Sequence, residues 1–220
     1  MKIRTLDDLS DKLSYELGWR KKELTGLKYL LDQNKSDRSF IPLLARCGVV
    51  MLYAHWEGFI KICSRCYLEF IAMQRHCNSQ LKENLLTLSM RSAISFNNES
   101  KKSSEFGKIT NFFLTQMNAR SSIPFKTAIN TESNLSSSVL KEIIWTLNLN
   151  YSLFESKEKF IDAKLLGQRN HIAHGNDIAL DADDYCEWRK IVLDMMTTFK
   201  NEIENNAVTK SYLNTACMAN

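Results

Sequence analysis

The stretch Val49-Val50-Met51-Leu52-Tyr53-Ala54-His55-Trp56-Glu57-Gly58-Phe59-Ile60-Lys61 decides the fold. It is apolar on nearly every side of a helix between Cys47 and Phe59, and a helix of that kind belongs in the middle of a bundle. Its polar residues Tyr53, Glu57 and Lys61 fall four apart and form one stripe. Buried polar groups need partners, so Glu57 is expected to meet either Lys61 one turn on or a cation from another helix, with Arg169 as the candidate. The helix is predicted from about Ile41 to Gln74, with Pro42 in its first turn, where a missing N–H costs nothing.

Outward from this centre the helical period continues. Leu9, Leu13, Leu17, Leu24, Leu27 and Leu31 make one face of an amphipathic helix over about Leu6 to Leu31. Another runs from about Asp181–Asp184, whose carboxylates favour a helix start, through Trp188, Ile191, Val192, Met195, Met196 and Phe199 to about Asn205. Shorter helices are predicted over Leu81–Met90, Phe106–Met117 and Val139–Leu149, and a longer one over Ser156–His174. The polar run Asn97–Ser104 reads as a solvated loop, and Ser121–Ser138 as irregular chain. With few Gly, two Pro and scarce valines, the class is all-α. A chain of 220 residues with 44% hydrophobic content buries one substantial core, so a single helical domain over residues 1–206 is expected, followed by a tail over 207–220.

A net charge of +4 does not announce a strongly basic nucleic-acid binder. The N-terminus lacks the apolar run of a signal peptide, and no segment is long and apolar enough to span a bilayer, so a cytoplasmic protein with reduced thiols is expected. Cys63, Cys66, His76 and Cys77 offer four zinc-ligand types, but the second pair lies about three turns beyond the first, and reduced core thiols explain the pattern more simply. No metal and no cofactor is expected.

The second informative stretch is Gln168-Arg169-Asn170-His171-Ile172-Ala173-His174-Gly175. It sets a permanent cation, an amide and an imidazole near a helix end closed by Gly175. Arg offers phosphate oxygens a planar fork of donors at any working pH, and His exchanges a proton near neutrality. Those groups suit phosphodiester chemistry. Asn170 and His174 share a helix face, while Arg169 needs its long side chain to reach the same pocket.

Arg169 and His174 with four residues between them, polar Asn170 after the Arg, and the upstream Tyr53-to-Lys61 helix together resemble the HEPN superfamily. The resemblance implies a small up-and-down all-α bundle over about residues 10–205, with residues 78–138 as a family-specific insertion. It implies a homodimer, RNA as substrate, and a toxin or phage-defence setting with an antitoxin or nucleotidyltransferase partner. Arg169 and His174 map onto the catalytic pair and Asn170 onto the polar position beside it; Tyr53, His55, Glu57 and His171 are supporting positions at most. The implied activity is a metal-independent endoribonuclease in which a ribose 2′-hydroxyl attacks the adjacent phosphorus and leaves a 2′,3′-cyclic phosphate. The alternative is a non-catalytic HEPN-like module that binds RNA or a protein partner through the same residues.

Overall fold

A computed structural model describes residues 2–34, 36, 37, 39–94, 102–132 and 134–214. Among these are eight α-helices and no named strand. The frame is three long helices, α1 (Leu6–Gln33), α2 (Phe40–Met73) and α8 (Ala182–Thr209). Thr5 caps α1 and Asp181 caps α8, each with a reciprocal capping box that satisfies the first free N–H groups.

Side-chain ties fix the directions of these helices. Ser10 of α1 reaches Glu204 near the end of α8, while the Tyr185 hydroxyl near the start of α8 donates to Leu24 O at 2.9 Å. So α8 runs antiparallel to α1, as α2 does after its short loop. Two consecutive long helices therefore point the same way, and the chain between them must climb back.

That climb is made in pieces: α3 (Glu83–Ala93), α4 (Ser103–Thr115), α5 (Ser137–Thr146), α6 (Ser152–Glu155), a π-helical turn (Phe160–Leu166) and α7 (Gly167–Ala173). Phe154 packs edge-on against Phe199, and Phe160 against Trp188 nearer the start of α8, which traces the ascent along α8. The helix expected over Ser156–His174 is present as one uninterrupted run over residues 158–173, of which Phe160–Leu166 is π-helical. The loop expected over Asn97–Ser104 lies largely outside the described residues, as does the tail from residue 215. Residues before it stay in the bundle: Tyr212 and Leu213 are buried, Tyr212 edge-on to Tyr67 and Phe70.

One continuous core joins all of this, with Leu13, Leu24, Trp56, Phe59, Tyr67, Tyr185 and Phe199 fully buried. At Gly48 side chains of α1 and α8 both press against the backbone of α2. A Cβ there would sit 2.6 Å from Tyr185 Cδ2 and 3.0 Å from Leu27 Cδ2, so only a hydrogen fits.

Between α1 and α2 lies a charged cluster in an otherwise apolar seam. Arg20 and Glu16, both nearly sealed, form an ion pair, with Lys12 and the Trp19 indole N–H on the same carboxylate. Burial would raise the Glu16 carboxyl, but the hydrogen bonds from Arg20, Lys12 and Trp19 together hold it below the usual carboxylate value. His55 packs against the Trp19 ring at 5.2 Å, with Nε2 3.1 Å from Glu23. Burial pushes its pKa down, an effect the Glu23 carboxylate only partly offsets.

Two outcomes follow from this packing. Gly48→Ala forces Tyr185 or Leu27 aside and is expected to cost about 1–3 kcal/mol, read as a lower denaturation midpoint. His55 is harder to protonate folded than unfolded, so its contribution is intact above about pH 6.5 and is lost as the pH falls through its depressed folded value. Thermal midpoints measured against pH should fall on that acid side, and less steeply in His55→Gln.

Candidate functional site

The motif sits where the returning chain meets α2. Asp162, inside the π turn, accepts hydrogen bonds from both the Ser137 N–H at 2.7 Å and the Ser137 hydroxyl at 2.6 Å, which ties the turn to the start of α5. Gly167 follows directly, and a Cβ there would lie 3.1 Å from the Asp162 carbonyl. A π turn carries one extra residue per turn relative to an α-helix, so it resets the direction in which the residues after it project. Arg169 emerges from it facing α2.

There the Arg169 guanidinium lies over the Tyr53 ring, 4.1 Å from its centroid, and Nη1 donates to Asn170 Oδ1 at 2.7 Å. Tyr53 is itself immobilised. Its ring is 3% exposed, and its hydroxyl accepts the Leu135 N–H at 2.6 Å. Burial holds that hydroxyl above the ordinary phenol value, with the Leu135 hydrogen bond and the Arg169 charge opposing and the Glu57 charge adding. Among its contacts the guanidinium thus has an aromatic face and an amide oxygen. The pairing with Glu57 expected from the stripe on α2 does not form, and Glu57 makes no ion pair among the described residues. On the α2 side an aromatic face receives the guanidinium by stacking, worth about 1 kcal/mol.

His174 ends α7 as its C-cap and is exposed. Gly175 takes the left-handed conformation at φ +78° that closes a helix in a Schellman motif: Gly175 N–H donates to Ile172 O, and Asn176 N–H to His171 O, each at 3.0 Å. One protomer holds the Arg169 and His174 side chains on the same short helix with no hydrogen bond between them, the guanidinium turned inward and the imidazole at the exposed end.

The supporting positions separate. Tyr53 joins the motif directly. His55, two residues on, faces α1 and belongs to the Glu23–Trp19 cluster. His171 is exposed, with Nδ1 3.1 Å from the Asn176 amide, so it serves the helix end. Cys63 and Cys66 are buried one turn apart in the core, where burial raises both thiols, that of Cys66 to about 11. His76 packs on the Tyr212 ring at 5.8 Å. Among the described residues no group of three or more His, Cys, Asp or Glu is placed to hold a metal ion, and no helix is long and apolar enough to cross a membrane.

Two residues that spacing alone did not flag lie beside the motif. Arg46 of α2 donates from Nη1 to Asp177 Oδ1 at 3.1 Å, across the loop that follows His174. Arg46, with Leu43, Cys47 and Val50, lines one side of a groove of about 430 Å³ whose other side is Ile172, Gly175 and Asn176. The available signal was a lone cation in the apolar run Leu44-Ala45-Arg46-Cys47.

The groove also exposes something about α2. Between Phe40 and Ala54 the exposed positions are Phe40, Leu43, Cys47, Val50 and Ala54, spaced by three and four, and none is charged. Leu43 is 48% exposed. The helix expected to be enclosed on all sides is left open along one apolar stripe.

No curated protein and no solved structure matches the chain. The family described as RiboL-PSP-HEPN matches residues 15–205, which take in the Tyr53 platform, the π turn and the whole Arg169–His174 motif; the chain belongs to that HEPN family.

Proposed function

We propose that this protein is an endoribonuclease of the HEPN toxin or phage-defence type that works without a metal, as a homodimer. The observation that carries this reading is the seat of Arg169. Its guanidinium lies over the Tyr53 ring and donates to Asn170 on a short helix whose exposed end carries His174, so a permanent cation and an imidazole, the two groups that phosphodiester chemistry uses, share one helix at the surface.

In the proposed reaction the ribose 2′-hydroxyl attacks the adjacent phosphorus as its proton passes to a base, and the departing 5′-oxygen receives a proton from an acid. The product ends are a 2′,3′-cyclic phosphate and a 5′-hydroxyl. His174 serves as one proton carrier, and Arg169 stabilises the extra negative charge of the pentacovalent state. Asn170 keeps the guanidinium edge oriented. One protomer has a single imidazole at the site, while the reaction uses both a base and an acid. A second copy supplies the other.

The α2 stripe favours that second copy. Five uncharged exposed positions at alternating spacings of three and four make the seam along which two helices interlock, and an isologous pairing sets both motifs beside one cleft. A nuclease of this kind calls for restraint in its host, and an antitoxin or nucleotidyltransferase partner is the proposed source. Non-catalytic RNA binding is the second reading, favoured by an exposed His174 whose side chain has no hydrogen-bonded partner among the described residues.

Single-stranded RNA incubated with EDTA should be cut to 2′,3′-cyclic ends, and DNA of the same sequence should survive. His174→Ala should lower the rate by about 10²–10⁴, and Arg169→Ala on a similar scale. Cleavage abolished by chelator, or intact in His174→Ala, would overturn the assignment; RNA bound by the wild type and never cut would select the second reading. Leu43→Asp sets a carboxylate in the seam, so sedimentation should find a monomer and cleavage should fall with it. A Leu43→Asp dimer of unchanged mass places the two-fold elsewhere.

A further inference from the structure

The structure assigns Arg46 as a second phosphate-binding residue for the nucleic-acid strand, with Asp177 as the anion that occupies it in the strand's absence. This rests on the nuclease reading for the identity of the strand, but its chemistry can be measured apart from cleavage.

The first support is position. Arg46 stands on the flank of the α2 stripe nearer Tyr53, outside the five seam positions, and faces a groove wall, Ile172, Gly175 and Asn176, that brackets His174 in sequence. Arg46 lies seven residues before Tyr53 on α2, which is two turns and about 10 Å along the helix from the ring that carries Arg169. A strand whose scissile phosphate lies at Arg169 has a neighbouring phosphate within the reach of a guanidinium at that separation.

The second support is how differently the nearby arginines are held. Arg20 is sealed against Glu16 and stacked between Trp19 and Phe59. Arg189 is spent on the Leu24 carbonyl and the Thr25 hydroxyl. Arg46 has one hydrogen bond among the described residues, to an aspartate whose side chain is 99% exposed on the loop between α7 and α8. A one-point pair that open to water is weak and is screened by salt. A phosphate offers the same guanidinium two parallel hydrogen bonds and more charge, so it displaces Asp177. The carboxylate holds the groove's cation in place and lowers the attraction of the empty groove for adventitious anions.

The experiment uses the full chain carrying His174→Ala, so that RNA is not consumed, and reads fluorescence anisotropy of a labelled single-stranded RNA and of DNA with the same sequence across a salt series. A contact to phosphate does not depend on the 2′-hydroxyl, so both strands should respond alike. Arg46→Gln should weaken binding of each about ten-fold at low salt and reduce the slope of log affinity against log salt by about 0.7. Arg46→Lys, which keeps the charge, should keep most of the slope. Asp177→Asn should tighten binding by up to about five-fold.

Affinity and slope unchanged in Arg46→Gln, or no tightening in Asp177→Asn, overturns the inference. The two readings part company cleanly. Cleavage of RNA by the otherwise wild-type chain, with KM indifferent to Arg46→Gln, leaves the nuclease standing and removes Arg46 from its substrate. Arg46-dependent binding of both strands by a chain that never cuts RNA does the reverse.

Discussion

A helix that is apolar on every side must be surrounded, and that requirement on α2 organises the molecule. The α1 and α8 helices cover two of its faces, which forces the chain between α2 and α8 to climb back up the bundle, since α2 and α8 run the same way. The returning pieces cover a third face and deliver the Arg169–His174 motif onto it. What they leave open is the stripe from Phe40 to Ala54, which is long and uncharged, and water is a poor neighbour for it. The surface that receives the motif and the uncovered apolar surface are thus adjacent sides of one helix. The second protomer proposed to cover the stripe would meet the motif without further arrangement.

Tyr53 is the joint in this scheme. Its position on α2 is fixed by core packing, its hydroxyl by Leu135, and its free face receives Arg169. Two residues beyond Leu135, Ser137 is held by Asp162 in the π turn, seven residues before Arg169. The guanidinium, the ring, the 135–137 segment and the π turn therefore form a closed circuit of contacts, and the orientation of Arg169 follows from backbone ties spread over more than a hundred residues. A side chain so over-determined loses little freedom when an anion binds, which is what electrostatic stabilisation of a short-lived charge needs.

The sequence made the frame legible because frame and periodicity are the same physics. The α1, α2 and α8 helices begin and end within a few residues of where their apolar periods and caps place them, since burying a 3.6-residue stripe leaves little choice. The Gly175 stop was readable for a similar reason: few residues other than glycine adopt its φ readily. The π turn was not legible. Periodicity registers apolar residues at helical spacing and is blind to a single extra residue in the backbone ladder, and Gly167, which accommodates it, reads like any other glycine. Nor was the Tyr53–Leu135 bond, whose partners are 82 residues apart and whose donor is a backbone N–H. Cys63 and Cys66 were readable as buried thiols among apolar neighbours, but the burial of Arg20 against Glu16 was not, because on a one-dimensional reading an i, i+4 pair of that kind belongs to a solvated face.

The missing Arg169–Glu57 ion pair is the most instructive difference. A carboxylate would have stabilised the buried end of the guanidinium more strongly than a ring does, and as a stability device it would have been the better choice. A phosphate approaching a matched Arg–Glu pair gains little from the cation and is repelled by the anion. Placing the carboxylate near the Tyr53 hydroxyl and the guanidinium over the ring face separates the two charges by the width of a neutral aromatic group. Arg46, on α2 itself, is held differently. There a carboxylate is present, but it is a surface loop residue in open water, so the charge it masks is recovered when a better anion arrives. One cation is stacked on an aromatic face and its neighbour is paired with an exposed carboxylate, and the anionic strand proposed to lie along α2 would meet both.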